Sequence, residues 1–106
     1  MTKAIINGKR YNTETADFVA SWSNGYSYSD FKHCEEDLYR TKRGSWFTVG
    51  SGGPLSGYSR SVGQNSWSGS SDVIRPLDAD EARRWLERHG ETAALETYFP
   101  DVIEDA

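Results

Sequence analysis

Three side chains in this 106-residue sequence have the chemistry of a nucleophile and its base: the single cysteine, Cys34, and the two histidines, His33 and His89. Cysteine catalysis needs an imidazole within hydrogen-bond reach of the thiol. His33 and Cys34 are adjacent in a segment that reads as extended, so their side chains leave opposite faces and cannot meet. His89 can approach Cys34 only through the fold, and a lone thiol is most often a packing residue. A zinc site needs three or four converging ligands, and one cysteine with two distant histidines lacks that spacing. The run Glu35-Glu36-Asp37 lacks the calcium-loop pattern. Gly50-Ser51-Gly52-Gly53 exposes backbone N–H groups, but no P-loop lysine and no dinucleotide fingerprint accompanies it. The expectation is a protein without catalysis, metal or cofactor.

Binding is the chemistry that remains, and two sets of residues suit it. The first is acidic. Residues 1–71 carry a formal charge of +2 and residues 72–106 carry −6, for a net charge of −4. The carboxylates that could act are Glu81, Glu87, Glu91, Glu96, Asp101, Glu104 and Asp105, with Glu35, Glu36 and Asp37 as a second cluster. Spaced carboxylates on a rigid scaffold can imitate duplex phosphates and occupy a basic groove on a nucleic-acid-binding protein, through an attraction that weakens with salt. The plainer reading is a solvated helix face. Such a negative field also repels phosphates, which disfavours direct nucleic-acid binding.

The second set is Tyr58, Gln64, Asn65 and Trp67, within a stretch that holds six of the ten glycines between residues 50 and 71. Rings combined with amides build sugar or small-ligand sites, although rings in loops more often just pack. A third class, a regulator that binds nucleic acid, needs a basic face, hinted at only by Lys9-Arg10 and Lys42-Arg43.

The elements that must position these residues are legible in part. Asn7-Gly8 favours a type I′ turn between Lys3–Ile6 and Lys9–Tyr11. Asn12 or Thr13 can cap a helix to about Trp22, with Ala16, Val19 and Ala20 on its apolar face beside Phe18 and Trp22. Leu38-Tyr39-Arg40-Thr41 and Trp46-Phe47-Thr48-Val49 flank the turn Lys42–Ser45 as an antiparallel hairpin. Asp72-Val73-Ile74-Arg75 reads as a third strand stopped by Pro76. Asp78 and Glu81 then form a capping box ahead of a helix that buries Ala82, Trp85 and Leu86 and ends at Gly90. A last helix, Glu91 to Phe99, buries Ala94, Leu95, Tyr98 and Phe99. The predicted fold is α+β: a three-stranded antiparallel sheet, with an N-terminal helix and two C-terminal helices packed on one face. One domain over 1–106 is expected, with a Gly/Ser-rich loop at 50–71 and an acidic tail at 101–106.

No stretch approaches the ~20 apolar residues that span a bilayer, and the first residues turn polar too soon for a signal peptide, so a cytoplasmic monomer is expected.

The runs from Asn7 to Ala16, from Leu38 to Phe47 and from Gly63 to Gly69, with Pro76-Leu77 before the Glu-Ala helix, resemble small proteins of phages and bacterial mobile elements. Across nearly its full length the chain is similar to an anti-CRISPR protein of the class that inhibits type I-C systems. That resemblance implies an inhibitor of the crRNA-guided surveillance complex in a bacterial host, which blocks a basic, Cas8-like subunit that reads the PAM and target DNA. The partner-binding residues named above rest on charge alone.

Overall fold

The computed structural model describes residues 2–27, 30–53, 58, 60–63, 66–68 and 70–106, and of residues 60–63, 66–68, 70 and 71 the backbone alone. The chain opens with a hairpin of β1 (Lys3–Ile6) and β2 (Lys9–Asn12). Asn7 and Gly8 at its turn have φ of 52° and 77°, the left-handed pair that a type I′ turn demands. Four strands then form the main antiparallel sheet: β3 (Asp17–Ser23), β4 (Cys34–Arg40), β5 (Trp46–Gly52) and β8 (Ser70–Leu77), in the order β3-β4-β5-β8. A small hairpin, β6 (Arg60–Gly63) with β7 (Ser66–Ser68), is inserted between β5 and β8. Helices α1 (Ala79–Arg88) and α2 (Thr92–Tyr98) follow, then a 3-10 turn at Pro100–Val102.

The expected three-stranded sheet with an N-terminal helix is therefore overturned, because residues 17–23 form an edge strand. Asn12 does cap locally: its Oδ1 accepts from the Glu14 N–H at 3.0 Å, and its carbonyl accepts from the Ala16 N–H at 3.1 Å. That turn is not propagated. From Ala20 onward small or aromatic residues alternate with serines, Ala20 and Trp22 inward and Ser21 and Ser23 outward, which is the period of a strand. A bulge between Phe18 and Ala20 breaks the alternation at Val19. It lets the adjacent Val19 and Ala20 both pack on the core, and with Ala16 ahead of them that spacing mimics a helical stripe in sequence. Two smaller expectations also change. Pro76 does not stop its strand, because β8 is an edge strand, where a missing N–H costs no ladder bond. The region from 50 to 71 is not a continuous loop, since β5 runs to Gly52 and the β6-β7 hairpin lies within it.

The helical end follows the sequence closely. The Glu81 N–H donates to Asp78 Oδ1 at 2.8 Å and the Asp78 N–H donates to Glu81 Oε1 at 2.9 Å, closing the capping box. At the other end Glu91 N–H donates to the Leu86 carbonyl and Gly90 N–H to that of Glu87, with Gly90 at φ 69°, a complete Schellman motif. Ala82, Trp85 and Leu86 are buried on the sheet against Ala20, Leu38 and Trp46. Each such large side chain contributes about 1.5–3 kcal/mol by leaving water. Trp46 then carries α2: Phe99 stacks on it at 5.3 Å between centroids, Tyr98 meets it edge-on at 5.4 Å, and the Arg40 guanidinium sits 5.7 Å from its ring centroid. On the opposite face Tyr11 fixes the N-terminal hairpin edge-on to Phe47, which in turn stacks on Tyr39.

Candidate functional site

Strand register separates the Glu35-Glu36-Asp37 cluster. Glu36 pairs with Trp22 and Gly50 and lies on the helix-covered face, whereas Glu35 and Asp37 project from the other. Glu36 is held by two buried donors, Trp85 Nε1–H at 3.1 Å and the hydroxyl of Tyr58. Tyr58 fits there because Gly50 has no side chain; a Cβ at residue 50 would fall within its ring. Arg75 stacks on that ring 4.0 Å from the centroid. Burial first, and then the bond to Glu36, raises the phenol well above its usual pKa. On the opposite face burial, with Glu35 beside it, raises the Asp37 carboxyl above its ordinary 3.8, and Glu35 lies 3.6 Å from His33 Nε2.

His33 and Cys34 do not form a pair. The His33 Nδ1 contacts the Tyr26 carbonyl at 2.8 Å, and its Nε2 faces Glu35. Cys34 instead lines a cleft of about 520 Å³ with Trp22, Glu36, Tyr58, Arg75, Arg88 and His89. His89 stacks on Trp22 at 4.7 Å and meets Trp85 edge-on at 4.5 Å. Its Nε2 is buried without a hydrogen-bond partner among the described residues. Burial, then the Arg88 charge, lowers its pKa from the ordinary 6.5. The pairing of Trp22 with His89 is invisible in sequence because 66 intervening positions say nothing of where a helix end will dock on a strand. Among the described residues no group of three His, Cys, Asp or Glu side chains could hold a metal ion.

Of the ligand-loop residues, Tyr58 is buried, Trp67 is described only by its backbone in β7, and Gln64 and Asn65 lie outside the described residues. The Tyr58 ring and hydroxyl are engaged by Arg75 and Glu36.

The late carboxylates divide by position. Glu81 is committed to the capping box. Glu91 precedes α2 without making a side-chain cap. Glu87, Glu96 and Glu104 converge on one groove of about 320 Å³, shared with Thr92, Leu95, Val102 and Ile103. Glu87 is paired with Arg83 at 3.2 Å, whereas Glu96 and Glu104 have no cationic partner among the described residues. Val102 and Ile103 remain 59% and 45% exposed, so the groove joins uncompensated charge to uncovered apolar surface. Asp101 and Asp105 are exposed and do not line it. The sequence signal for the apolar part was Val102-Ile103 itself, two aliphatic residues inside an acidic tail after Pro100. No helix among the described residues is long and apolar enough to cross a membrane. No protein-family model, curated protein or solved structure matches this chain.

Proposed function

We propose that the protein acts by stoichiometric binding, presenting the groove of Glu87, Glu96 and Glu104 to a basic, nucleic-acid-binding surface of a partner protein and excluding phosphates from it. The observation that carries this reading is the convergence of Glu96 and Glu104, neither with a cationic partner among the described residues, around exposed Val102 and Ile103. Carboxylates supply orientation and rapid encounter with a positive surface, and the two aliphatic side chains supply an apolar contact that charge alone lacks. The resemblance to type I-C anti-CRISPR proteins makes the DNA-reading, Cas8-like subunit of a surveillance complex in the bacterial cytoplasm the first partner to test.

The test is competition between this protein and target DNA for that purified complex at two salt concentrations. The native chain should displace DNA, and less well at the higher salt. A double variant, Glu96→Lys with Glu104→Lys, should bind at least about tenfold more weakly while melting at the same temperature. Undiminished binding by that variant would remove the groove from the mechanism.

A further inference from the structure

Four cationic residues gather where the N-terminal hairpin meets the β4-β5 turn. A cleft of about 710 Å³ is lined there by Lys9 and Arg10 from β2, by Lys42 and Arg43 from the turn, and by Tyr11, Thr15, Thr41 and Ser45 among others. The four cations are brought together by two tight turns that sequence spacing does not connect. Both walls are fixed. The hairpin is closed by the Thr13 N–H donating to the Thr2 carbonyl at 3.0 Å and is anchored by Tyr11 against Phe47. The turn is closed by Thr41 N–H to the Ser45 carbonyl at 2.7 Å and by Ser45 N–H to Thr41 Oγ1 at 2.9 Å, with Gly44 at φ 90°.

Among the described residues one of the four cations is compensated: Lys42 Nζ lies 2.6 Å from Asp17 Oδ1. Lys9, Arg10 and Arg43 have no carboxylate partner among the described residues. Like charges held around one concavity repel each other, and an anion bound between them converts that repulsion into attraction. We infer that this cleft binds a small polyphosphate-bearing ligand. Arginine supplies paired donors that match phosphate oxygens, lysine supplies point charges, and Thr41 and Ser45 line the cleft beside them. The volume suits a compact molecule of nucleotide size. An extended strand is less well served, because the single ring in the lining, Tyr11, is buried against Phe47 and offers no free face on which a base could stack.

The test is calorimetry of the full chain with inorganic tripolyphosphate, with a short single-stranded oligonucleotide as a second titrant. Tripolyphosphate should bind saturably at one site and raise the melting temperature. The double variant Lys9→Gln with Arg43→Gln, both at exposed positions, should melt as the native chain does without ligand and bind tripolyphosphate at least about tenfold more weakly. Glu96→Lys with Glu104→Lys should bind tripolyphosphate as the native chain does, which keeps this test separate from that of the acidic groove. Absence of saturable binding, or equal binding by the Lys9/Arg43 variant, would overturn the inference. So would an oligonucleotide that binds the native chain more tightly than tripolyphosphate, since the cleft would then be a nucleic-acid site.

Discussion

Glu36 and Glu96 are the same side chain in two settings, one beneath the helix layer and the other on the rim of the C-terminal groove. Glu36 accepts from Trp85 and Tyr58 and so ties α1 and residue 58 to the central strand β4. Glu96 has no cationic partner among the described residues, and it borders a groove with exposed aliphatic side chains. Hydrogen-bond supply separates them: a carboxylate that accepts from buried donors is part of the scaffold, and one without such donors is available to a partner.

The contrast is sharpest in stability. Glu36→Ala removes the acceptor shared by two donors on buried residues and should cost about 3 kcal/mol, whereas Glu96→Ala should change stability by less than about 0.5 kcal/mol. Urea denaturation of both variants measures the difference, and similar midpoints would dissolve the distinction. Gly50→Ala probes the same buried network from below. Its new methyl group would overlap the Tyr58 ring, so a loss of about 2 kcal/mol is expected, with the effect reduced in a Tyr58→Ala background.

The smallest expected effect is on pH dependence. His89 is held by Trp22 and Trp85 with Arg88, Glu36 and Glu91 near it, and its folded pKa is lowered from 6.5. In the window below 6.5 the unfolded chain binds the proton and the folded chain does not, so stability is lost as pH falls through it. His89→Gln should flatten that slope in urea midpoints taken across the window. An unchanged slope would mean that His89 titrates alike in both states.

How much of this was legible in the sequence depended on the range of the interactions. The Asn7-Gly8 turn, the β4-β5 hairpin, the capping box and the Gly90 stop are set by neighbours within a few residues, and each stands where the residues placed it. Residues 17–23 carry a helix-like spacing because the bulge turns both Val19 and Ala20 inward, and only pairing with β4 reveals that segment as an edge strand. The acidic groove was half legible. The sequence located its carboxylates and marked Glu81 for the capping box, but it could not separate Glu96 and Glu104, which line the groove, from Asp101 and Asp105, which do not.

Local chemistry, then, determined the turns, caps, strand period of the central hairpin and the sign of charge along the chain, because those depend on sequence neighbours and backbone preference. Tertiary structure alone decided that Glu36 turns inward to Trp85 and Tyr58, that His89 stacks on Trp22, and that Lys9 and Arg10 of β2 and Lys42 and Arg43 of the β4-β5 turn line one cleft. Those contacts join residues tens of positions apart, and they exist only once sheet register and helix docking fix which faces meet.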